Sequence, residues 1–289
     1  MSEPPAPPAP ARRSLPARVG GALADRVTRL GAAGLGVLSA IVDLWMVLVG
    51  VIAGLIRQRR KGAKREPGGV VAQMHSIGNR SLLFIAVTLG FIGMVMIYQA
   101  CLQFQRSVGD LSQVGKQYLR LVISDFGPTL TGLMLATRVG AGIAAEIGSM
   151  KVTEQLDALR MSGVLPVDYL LVPRFTASMI MTLVLTVVGA SIMIATGGLT
   201  AYVSFGVNPR TFFDLGAVLP RHVVLGLLKA SSYGAAIPIV AGFCGLRARG
   251  SSEGVGWATT AAVVGSSFAI IALDFGLSVG ALWLLGGNL

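Results

Sequence analysis

Two carboxylates, Asp125 and Asp274, lie inside or at the edge of long apolar stretches of the chain. An ionised carboxylate is costly in a bilayer, so it usually faces protein or water and often marks a functional site. Asp125 fits a polar group that lines a pocket near the outer leaflet, and it fits equally a helix-end residue that interfacial water reaches. Asp274 lies about two helical turns after Ser266 and Ser267, and we expect it to tie helices together through hydrogen bonds.

A second set of charged residues belongs to the segment Arg138–Gly163, RVGAGIAAEIGSMKVTEQLDALRMSG. Val152, Leu156 and Leu159 recur there at the spacing of one helical face. Charged residues follow at intervals of three on the other side, namely Lys151, Glu154, Asp157 and Arg160. The pattern predicts an amphipathic helix at the membrane surface, although an ordinary solvated loop helix has the same pattern. The small residues that precede it let helices approach closely, which favours a rigidly held ledge over a loose loop.

The sequence contains no arrangement of residues that is typical of an enzyme. The phosphate-binding motif G-x-x-x-x-G-K-[ST] is absent, and the one Gly-Lys pair, Gly115–Lys116, is followed by Gln117. His75 and His222 are isolated from other residues that ligate metals. We therefore expect no cofactor or metal in this chain, and we expect any ATP to be used by a separate subunit.

The composition is that of an integral membrane protein. Hydrophobic residues make up 53% of the 289 residues and charged residues 13%, whereas a soluble domain carries about a quarter charged residues. The formal net charge of +11 on its own would suggest nucleic-acid binding. The basic residues, however, form short clusters beside apolar stretches, as they do on the cytoplasmic flanks of membrane spans. Nucleic acid is therefore not an expected partner.

The chain divides into three parts. Residues 1–20 are rich in Pro and Ala and are predicted to form a disordered cytoplasmic tail, since they lack the apolar core of a signal peptide. Residues 21–66 contain the apolar stretch Gly31–Ile56, which basic residues flank on both sides. Hydropathy alone predicts a membrane span there, but a crossing would translocate one basic cluster, so we favour an interfacial elbow helix followed by a basic linker. Residues 70–289 form the membrane domain.

Five membrane spans are predicted in that domain. Each is about as long as a bilayer core requires, or longer, and they lie at 81–101, 121–145, 169–203, 223–246 and within 261–285. The 24 Lys and Arg residues then divide into eighteen on the side of the N-terminus and six on the other side, with Lys229 among the six. This asymmetry predicts a cytoplasmic N-terminus, a cytoplasmic position for the segment Arg138–Gly163 and a periplasmic C-terminus.

A long and distinctive run of sequence surrounds the charged segment. It reads ATRVGAGIAAEIGSMKVTEQLDALRMSGVLPVDYLLVPR, residues 136–174, and shorter runs of the same character are Phe91–Val95, Gly127–Pro128 and Gly254–Phe275. These stretches resemble the MlaE/YrbE family, the permease subunits of ABC-type lipid transporters that work with MCE-domain proteins. The resemblance implies an all-α integral membrane protein with an N-terminal interfacial helix, five transmembrane helices and a short cytoplasmic coupling helix between the second and the third.

The resemblance implies a permease subunit in the bacterial inner membrane that moves phospholipids or related lipids between that membrane and a periplasmic partner. The implied partners are a second copy of the chain, a cytoplasmic ABC ATPase that uses ATP, a hexameric ring of MCE-domain protein, phospholipid, and an optional small STAS-domain accessory protein. Two other classes fit a chain that lacks a nucleotide-binding motif. One is a secondary transporter or channel that works without an ATPase, and the other is a membrane anchor that only scaffolds the MCE complex.

The resemblance also assigns candidate coupling residues. In the family, the segment that matches Ser149–Gly163 is the coupling helix, which docks in a groove of the ATPase. The residues of this chain that are expected to couple to the ATPase are Glu146, Gly148, Met150, Thr153, Glu154, Gln155, Asp157 and Leu159.

A lipid pocket at the centre of a dimer is the second site that the resemblance implies. Its candidate residues here are Met96, Gln99, Gln103, Phe104, Asp125 and Phe126. Met and aromatic side chains suit acyl chains of variable shape, although they suit plain helix packing as well. The family carries an Arg-Glu pair before Leu-Gly-Pro in its second span, whereas this chain has Ser124 and Asp125 at those two positions. The acid is thus present in a shorter form, and its basic neighbour is missing.

Overall fold

The computed structural model describes residues 42–57, 67–107, 111–163, 165–214, 216 and 218–284. Residues 47–289 form one compact unit, and of the preceding unit, residues 1–46, only residues 42–46, which belong to a helix, are described. The predicted tail, most of the basic linker and the part of the predicted elbow before residue 42 lie outside the described residues. The predictions for these segments stay predictions.

All regular structure in the described residues is helical. Ten α-helices follow one another along this part of the chain: α1 (42–57), α2 (Pro67–Ser107), α3 (Val114–Leu121), α4 (Gly127–Leu135), α5 (Ala141–Val152), α6 (Gln155–Met161), α7 (Val172–Phe205), α8 (Pro209–Phe212), α9 (Pro220–Leu246) and α10 (Ser252–Leu284). Three π-helical segments, Val122–Phe126, Ala136–Gly140 and Val167–Leu171, continue directly into the α-helix that follows each of them.

Five helical stretches in the described residues are long and apolar enough to cross a membrane. They are Gly69–Ser107, Val114–Val152, Val167–Phe205, Pro220–Leu246 and Ser252–Trp283. A span needs about 20 apolar residues, so stretches of 27 to 39 residues must tilt or project beyond the hydrocarbon core. The protein is an all-α integral membrane protein, as predicted, and most of its helices extend beyond the apolar stretches that hydropathy indicates.

The second span departs from a uniform α-helix at two places. The π-helical segments Val122–Phe126 and Ala136–Gly140 interrupt it. Pro128 follows the first of them and has no amide hydrogen to donate to the preceding turn, which favours a wider turn there. Single π turns are frequent at functional sites. Asp125 lies in the first widened turn, which therefore sets the direction of its carboxylate.

Small residues bring the spans close together. Gly93 of α2 lies against the backbone of Met193 in α7, and Gly234 of α9 lies against Met179 of α7. In a bilayer the helices have no hydrophobic drive to associate, so close van der Waals packing at such positions holds them together. α7 packs along α2 and also against α9, and α10 packs against α9 and α5.

The loop between α7 and α9 is fixed to the start of the second span. Tyr118 of α3 donates a hydrogen bond to the carbonyl of Met193 at 2.9 Å, and its ring packs against Phe212 of α8. Lys116 pairs with Asp214 at 3.2 Å, and the hydrogen bond from this lysine lowers the pKa of the Asp214 carboxyl. The pair is therefore present at neutral pH and is lost only in acid, as the pH falls through the lowered pKa.

α1 packs against the beginning of the third span. Gly50 lies against Val167, and Gly54 lies against Asp168. Arg57 at the end of α1 pairs with the same Asp168 at 2.8 Å. α1 thus braces the point at which the chain enters the third span.

The close approach of α2 and α7 gives a stability prediction. A Cβ added at Gly93 would lie 2.8 Å from the Met193 carbonyl oxygen and 2.9 Å from its Cα. Since backbone cannot move aside as a flexible side chain can, we expect Gly93→Ala to lower the free energy of unfolding by about 1–3 kcal/mol. Thermal unfolding of the purified chain in detergent measures this change.

Gly142 supplies the matched control, because it also lies inside a helix and nothing is within 4 Å of an added Cβ. Gly142→Ala is expected to be neutral or to stabilise the chain by about 0.5–1 kcal/mol through helix propensity. Equal effects of the two substitutions would contradict the packing that the structure shows.

Candidate functional site

The ledge, Ser149–Gly163, contains two helical pieces and a turn. α5 continues the second span as far as Val152, and the separate short helix α6 begins at Gln155. Between them Glu154 adopts a left-handed backbone conformation with φ 60°, through which a right-handed helix cannot pass. The prediction of one continuous amphipathic helix is therefore wrong, because the two ends of the segment belong to different helices.

Glu154 is the one residue other than glycine with a positive φ in the part of the chain that the structure describes. This conformation costs about 1–2 kcal/mol for such a residue, and it persists only where the surroundings fix it. The amides of Asp157 and Ala158 both donate to the Glu154 carbonyl at 3.1 Å, and the Thr153 hydroxyl donates to the Ser149 carbonyl at 2.9 Å. The turn is thus held on both sides.

The ledge has one buried side and one exposed side. Leu156 is fully buried, as its place in the apolar pattern predicts, and Met150 and Leu159 are half-buried. The exposed residues of the turn are Thr153, Glu154 and Gln155. These three are the members of the predicted coupling set within the ledge that present the most surface to a partner.

Two other members of the predicted set have structural contacts. Gly148 is buried, and a Cβ there would lie 3.3 Å from the Cβ of Ala248, so this glycine lets the second span approach the turn between the fourth and fifth spans. Asp157 pairs with Lys151 at 3.6 Å and with Arg160 at 3.1 Å. The first pair joins the two helical pieces across the turn and the second lies within α6, and each is a partly exposed pair of small strength.

Glu146 connects the root of the ledge to the third span. Its carboxylate lies 2.5 Å from the guanidinium of Arg174, whose side chain is only 4% exposed, whereas that of Glu146 is 57% exposed. A buried guanidinium inside a membrane protein needs a partner, and Glu146 is its ion-pair partner. Arg174 is one of the eighteen cations that the charge count assigned to the side of the N-terminus. Its position inside the predicted span 169–203 is the signal that could have indicated a buried cation.

The second site is a buried charge network at the other end of the second span. Lys229 in α9 has a fully buried side chain, and its Nζ lies 2.5 Å from Asp125 and 2.8 Å from Asp274. It also donates to the Ser278 hydroxyl at 2.8 Å. The assignment of Lys229 to the outer loops is therefore wrong. Lys229 lay inside the predicted span 223–246, which alone indicated that its charge was buried and paired.

Asp274 joins three helices in this network. It accepts hydrogen bonds from Tyr233 of α9 at 2.8 Å and from Thr129 of α4 at 3.1 Å, in addition to its contact with Lys229. The expected role of Asp274 in tying helices together is confirmed. Its partners are residues of other helices, and they do not include Ser266 or Ser267.

Asp125 forms the outer part of the network. Its side chain is 40% exposed, and the Ser124 hydroxyl lies 2.5 Å from its Oδ2 and 3.0 Å from the Arg120 carbonyl. A hydroxyl has one hydrogen to donate, so it donates to one of these two acceptors at a time. The cation that the neighbouring position lacks in this sequence is supplied by Lys229 from another helix.

The residues of the predicted lipid pocket lie on two different surfaces. Met96 and Phe104 are half-buried and Gln99 and Gln103 are exposed on α2, which packs along α7. Asp125 instead points to α9 and α10 through its contact with Lys229. Phe126, in the same π turn, is 39% exposed. A pocket at a dimer centre involves a second chain, so this assignment stays a prediction.

Two apolar grooves open on the bundle at other positions. The larger has a volume of about 650 Å³ between α7 and α9, and the smaller has about 390 Å³ between α2 and α7. The larger is lined by Leu183, Val184, Val187, Val188, Val224, Leu227, Leu228 and Ser231. The smaller is lined by Val71, Met74, His75, Gly78, Asn79, Leu82 and Met181. Neither includes a predicted pocket residue.

Comparison with known proteins identifies relatives over most of the chain. A probable ABC transporter permease protein of Synechocystis is 36% identical over 215 residues, covering 74% of this chain and 80% of the relative. The intermembrane phospholipid transport system permease protein MlaE of Haemophilus influenzae is 35% identical over 209 residues, covering 71% and 80%. The chloroplast protein TRIGALACTOSYLDIACYLGLYCEROL 1 of Arabidopsis thaliana is 32% identical over 238 residues, covering 81% and 68%.

The family model for Permease MlaE matches residues 70–279. This range contains all five spans apart from the ends of the first and the last, and it includes the ledge and the Lys229 network. The relatives are named as components of transporters, which agrees with the expectation that the chain is not itself an enzyme. The chain belongs to the MlaE permease family and is a lipid-transport permease of the ABC type.

Proposed function

We propose that this permease moves phospholipids between the bacterial inner membrane and a periplasmic MCE-domain protein, and that a separate ATPase drives the transport from the ledge. Family membership supports lipid transport, and the Haemophilus relative is named for phospholipid transport. The observation that carries the coupling part is the ledge itself. Its turn is exposed at Thr153–Gln155. The helices on both sides of the turn are nevertheless held to the bundle, by Glu146 before it and by Leu156 after it.

The proposed orientation places the N-terminus and the ledge in the cytoplasm and the C-terminus in the periplasm. The asymmetry of Lys and Arg supports it. Arg174 and Lys229 are both buried, so neither counts as a loop charge. Each side of the membrane loses one cation by this correction, and the bias toward the N-terminal side persists.

The proposed assembly contains two copies of the chain. α10 is the least buried of the five spans within a single chain, and it exposes Phe268, Phe275 and Trp283. A second copy packed on this face would bury part of that surface. On the periplasmic side we propose a hexameric MCE ring, and on the cytoplasmic side an ATPase that uses ATP, with a small STAS-domain protein as an optional accessory.

The proposed lipid pocket lies at the centre of this dimer. The face of α2 that carries Met96, Gln99, Gln103 and Phe104 would supply apolar and amide groups, and the π turn would supply Asp125 and Phe126. Support comes from the partial exposure of Asp125 beside a buried network. The Asp125 carboxylate contacts the buried Lys229 on one side, and its other side is accessible to a ligand.

A charge reversal at the turn of the ledge tests the coupling. Glu154→Lys keeps a long side chain at the left-handed position, so the backbone cost is unchanged, but it replaces an exposed anion by a cation. We expect it to weaken binding of the ATPase by about tenfold or more, the loss that is typical of a central interface residue. Co-purification with the ATPase and lipid-stimulated ATP hydrolysis measure the effect.

Glu253→Lys is the matched control. Glu253 is exposed at the start of α10 on the same side of the membrane, and this substitution makes the same change of charge as Glu154→Lys. It is expected to leave ATPase binding within about twofold of the wild type, as surface substitutions usually do. Intact assembly and transport in Glu154→Lys would show that the ATPase does not dock on this turn.

The Glu146–Arg174 pair tests how the ledge is held. Glu146→Gln leaves a buried guanidinium without a charged partner, whereas Arg174→Met leaves an exposed carboxylate in water. We expect Glu146→Gln to cost about 1–3 kcal/mol of unfolding free energy, less than a fully buried pair would lose because Glu146 is half-exposed. Arg174→Met is expected to cost less, and the double variant is expected to recover part of the loss.

Thermal unfolding compares the three variants, and lipid transported per ATP hydrolysed shows whether a loosened ledge still transmits force. We expect this ratio to fall in Glu146→Gln while ATP hydrolysis continues. Arg160→Gln, which removes an exposed cation of the ledge, is the control for both measurements. A larger loss of stability in Arg174→Met than in Glu146→Gln would contradict the assignment.

A further inference from the structure

Three buried N–H groups of the second and fourth spans lack an acceptor within the described residues. They are Nε of Arg120, Nε of Arg221 and Nε2 of His222. A buried donor without an acceptor costs about 1–3 kcal/mol, and more when the group is charged. Most such groups in folded proteins are paired with protein or water. Three of them on two neighbouring helices therefore indicate a missing ligand.

The tautomer of His222 follows from its other nitrogen. Its side chain is only 1% exposed, and its Nδ1 accepts a hydrogen bond from the backbone amide of Leu219 at 3.1 Å. A nitrogen that accepts a hydrogen bond carries no proton, so the proton of the imidazole is on Nε2. His222 Nε2 is thus a donor in the interior of the protein, and it has no partner among the residues described.

Helix packing brings the three donors to one level of the bundle. Gly226 of α9 lies against the backbone of Ile123 in the second span, and alternate spans run in the same direction. One turn before Gly226 is His222, and one turn before Ile123 is Arg120. Arg120 and Arg221 are also the cations whose charges act on the His222 imidazole.

We propose that Arg120, Arg221 and His222 bind a phosphate group at this end of the bundle. A phosphate mono- or diester offers several acceptor oxygens in a tetrahedral arrangement and a negative charge. Guanidinium groups recognise it through charge-assisted hydrogen bonds. Two sources of the phosphate are possible, the head group of a phospholipid and free inorganic phosphate. The first source rests on the proposed function, which the proposal deepens.

The neighbouring network explains why the three donors are unpaired. Asp125 is the carboxylate whose charge acts on His222, but it is engaged by Lys229 at 2.5 Å and by Ser124. Lys229 follows His222 by seven residues and Asp125 follows Arg120 by five, so this pair lies about one and a half to two turns deeper than the donors. The carboxylate thus neutralises the buried lysine, and the donors above it remain available for an anion from outside.

The test measures binding to the purified full-length chain in detergent by native mass spectrometry. The three probes are phosphatidylglycerol, diacylglycerol with the same acyl chains, and inorganic phosphate as a competitor. We expect the wild type to prefer phosphatidylglycerol over diacylglycerol by at least about tenfold, and we expect Arg120→Gln and Arg221→Gln each to reduce this preference by about tenfold, as the loss of a charge-assisted hydrogen bond does.

Arg210→Gln is the control, because Arg210 is an exposed cation between the third and fourth spans at the same end of the bundle. It is expected to leave the preference unchanged. Displacement of phosphatidylglycerol by inorganic phosphate would support a site for phosphate as such. Retention of the lipid in the presence of inorganic phosphate would support a site for lipid-borne phosphate.

Equal binding of phosphatidylglycerol and diacylglycerol by the wild type would overturn the proposal, whatever the variants do, and so would an equal loss in Arg210→Gln. Lipid transport with the ATPase is measured in parallel. Transport without a phosphate preference would refute the phosphate site and leave the proposed function intact. A phosphate preference without transport would refute the proposed function and leave the site intact.

Discussion

The buried Lys229 is the constraint on which the outer half of the bundle depends. Its side chain has no access to water, and an ammonium group in such a place must be paired and hydrogen-bonded. The pairing requires Asp125 from the second span and Asp274 from the fifth to meet α9 at one level. Any arrangement that separates these helices leaves uncompensated charge inside the membrane, so the network fixes their register as well as their contact.

Two departures from a regular helix, one within the second span and one just after it, make this geometry compatible with a surface ledge. The π turn at Val122–Phe126 directs Asp125 toward α9, and the left-handed Glu154 ends the helix and turns the chain along the surface. About 30 Å of helix separates Asp125 from Glu146, and each end is held to another span by an ion pair. One helix therefore connects the charge network to the ledge.

The sequence predicts the features that depend on composition and on the spacing of apolar and charged residues along the chain. Long apolar stretches predict five spans, and the small-residue run followed by alternating charge predicts an exposed ledge over a buried Leu156. It does not predict the break at Glu154, because glutamate has ordinary helix propensity and rarely adopts the left-handed conformation. The partners of Lys229 and Arg174 also depend on which helices become neighbours, and hydropathy carries no information on that choice.

The two buried cations differ in what surrounds them, and this difference separates their roles. Lys229 is enclosed by two carboxylates, a tyrosine-linked hydrogen bond and a serine hydroxyl, so its environment is complete within one chain. Arg174 has one half-exposed partner, and its Nη1 has no hydrogen bond within the described residues. A complete network resists change, whereas an incomplete one is sensitive to a protein that binds nearby. If the ATPase docks on the ledge as proposed, we therefore expect the end of the second span at Asp125 to act as the fixed point and the ledge end to respond to that docking.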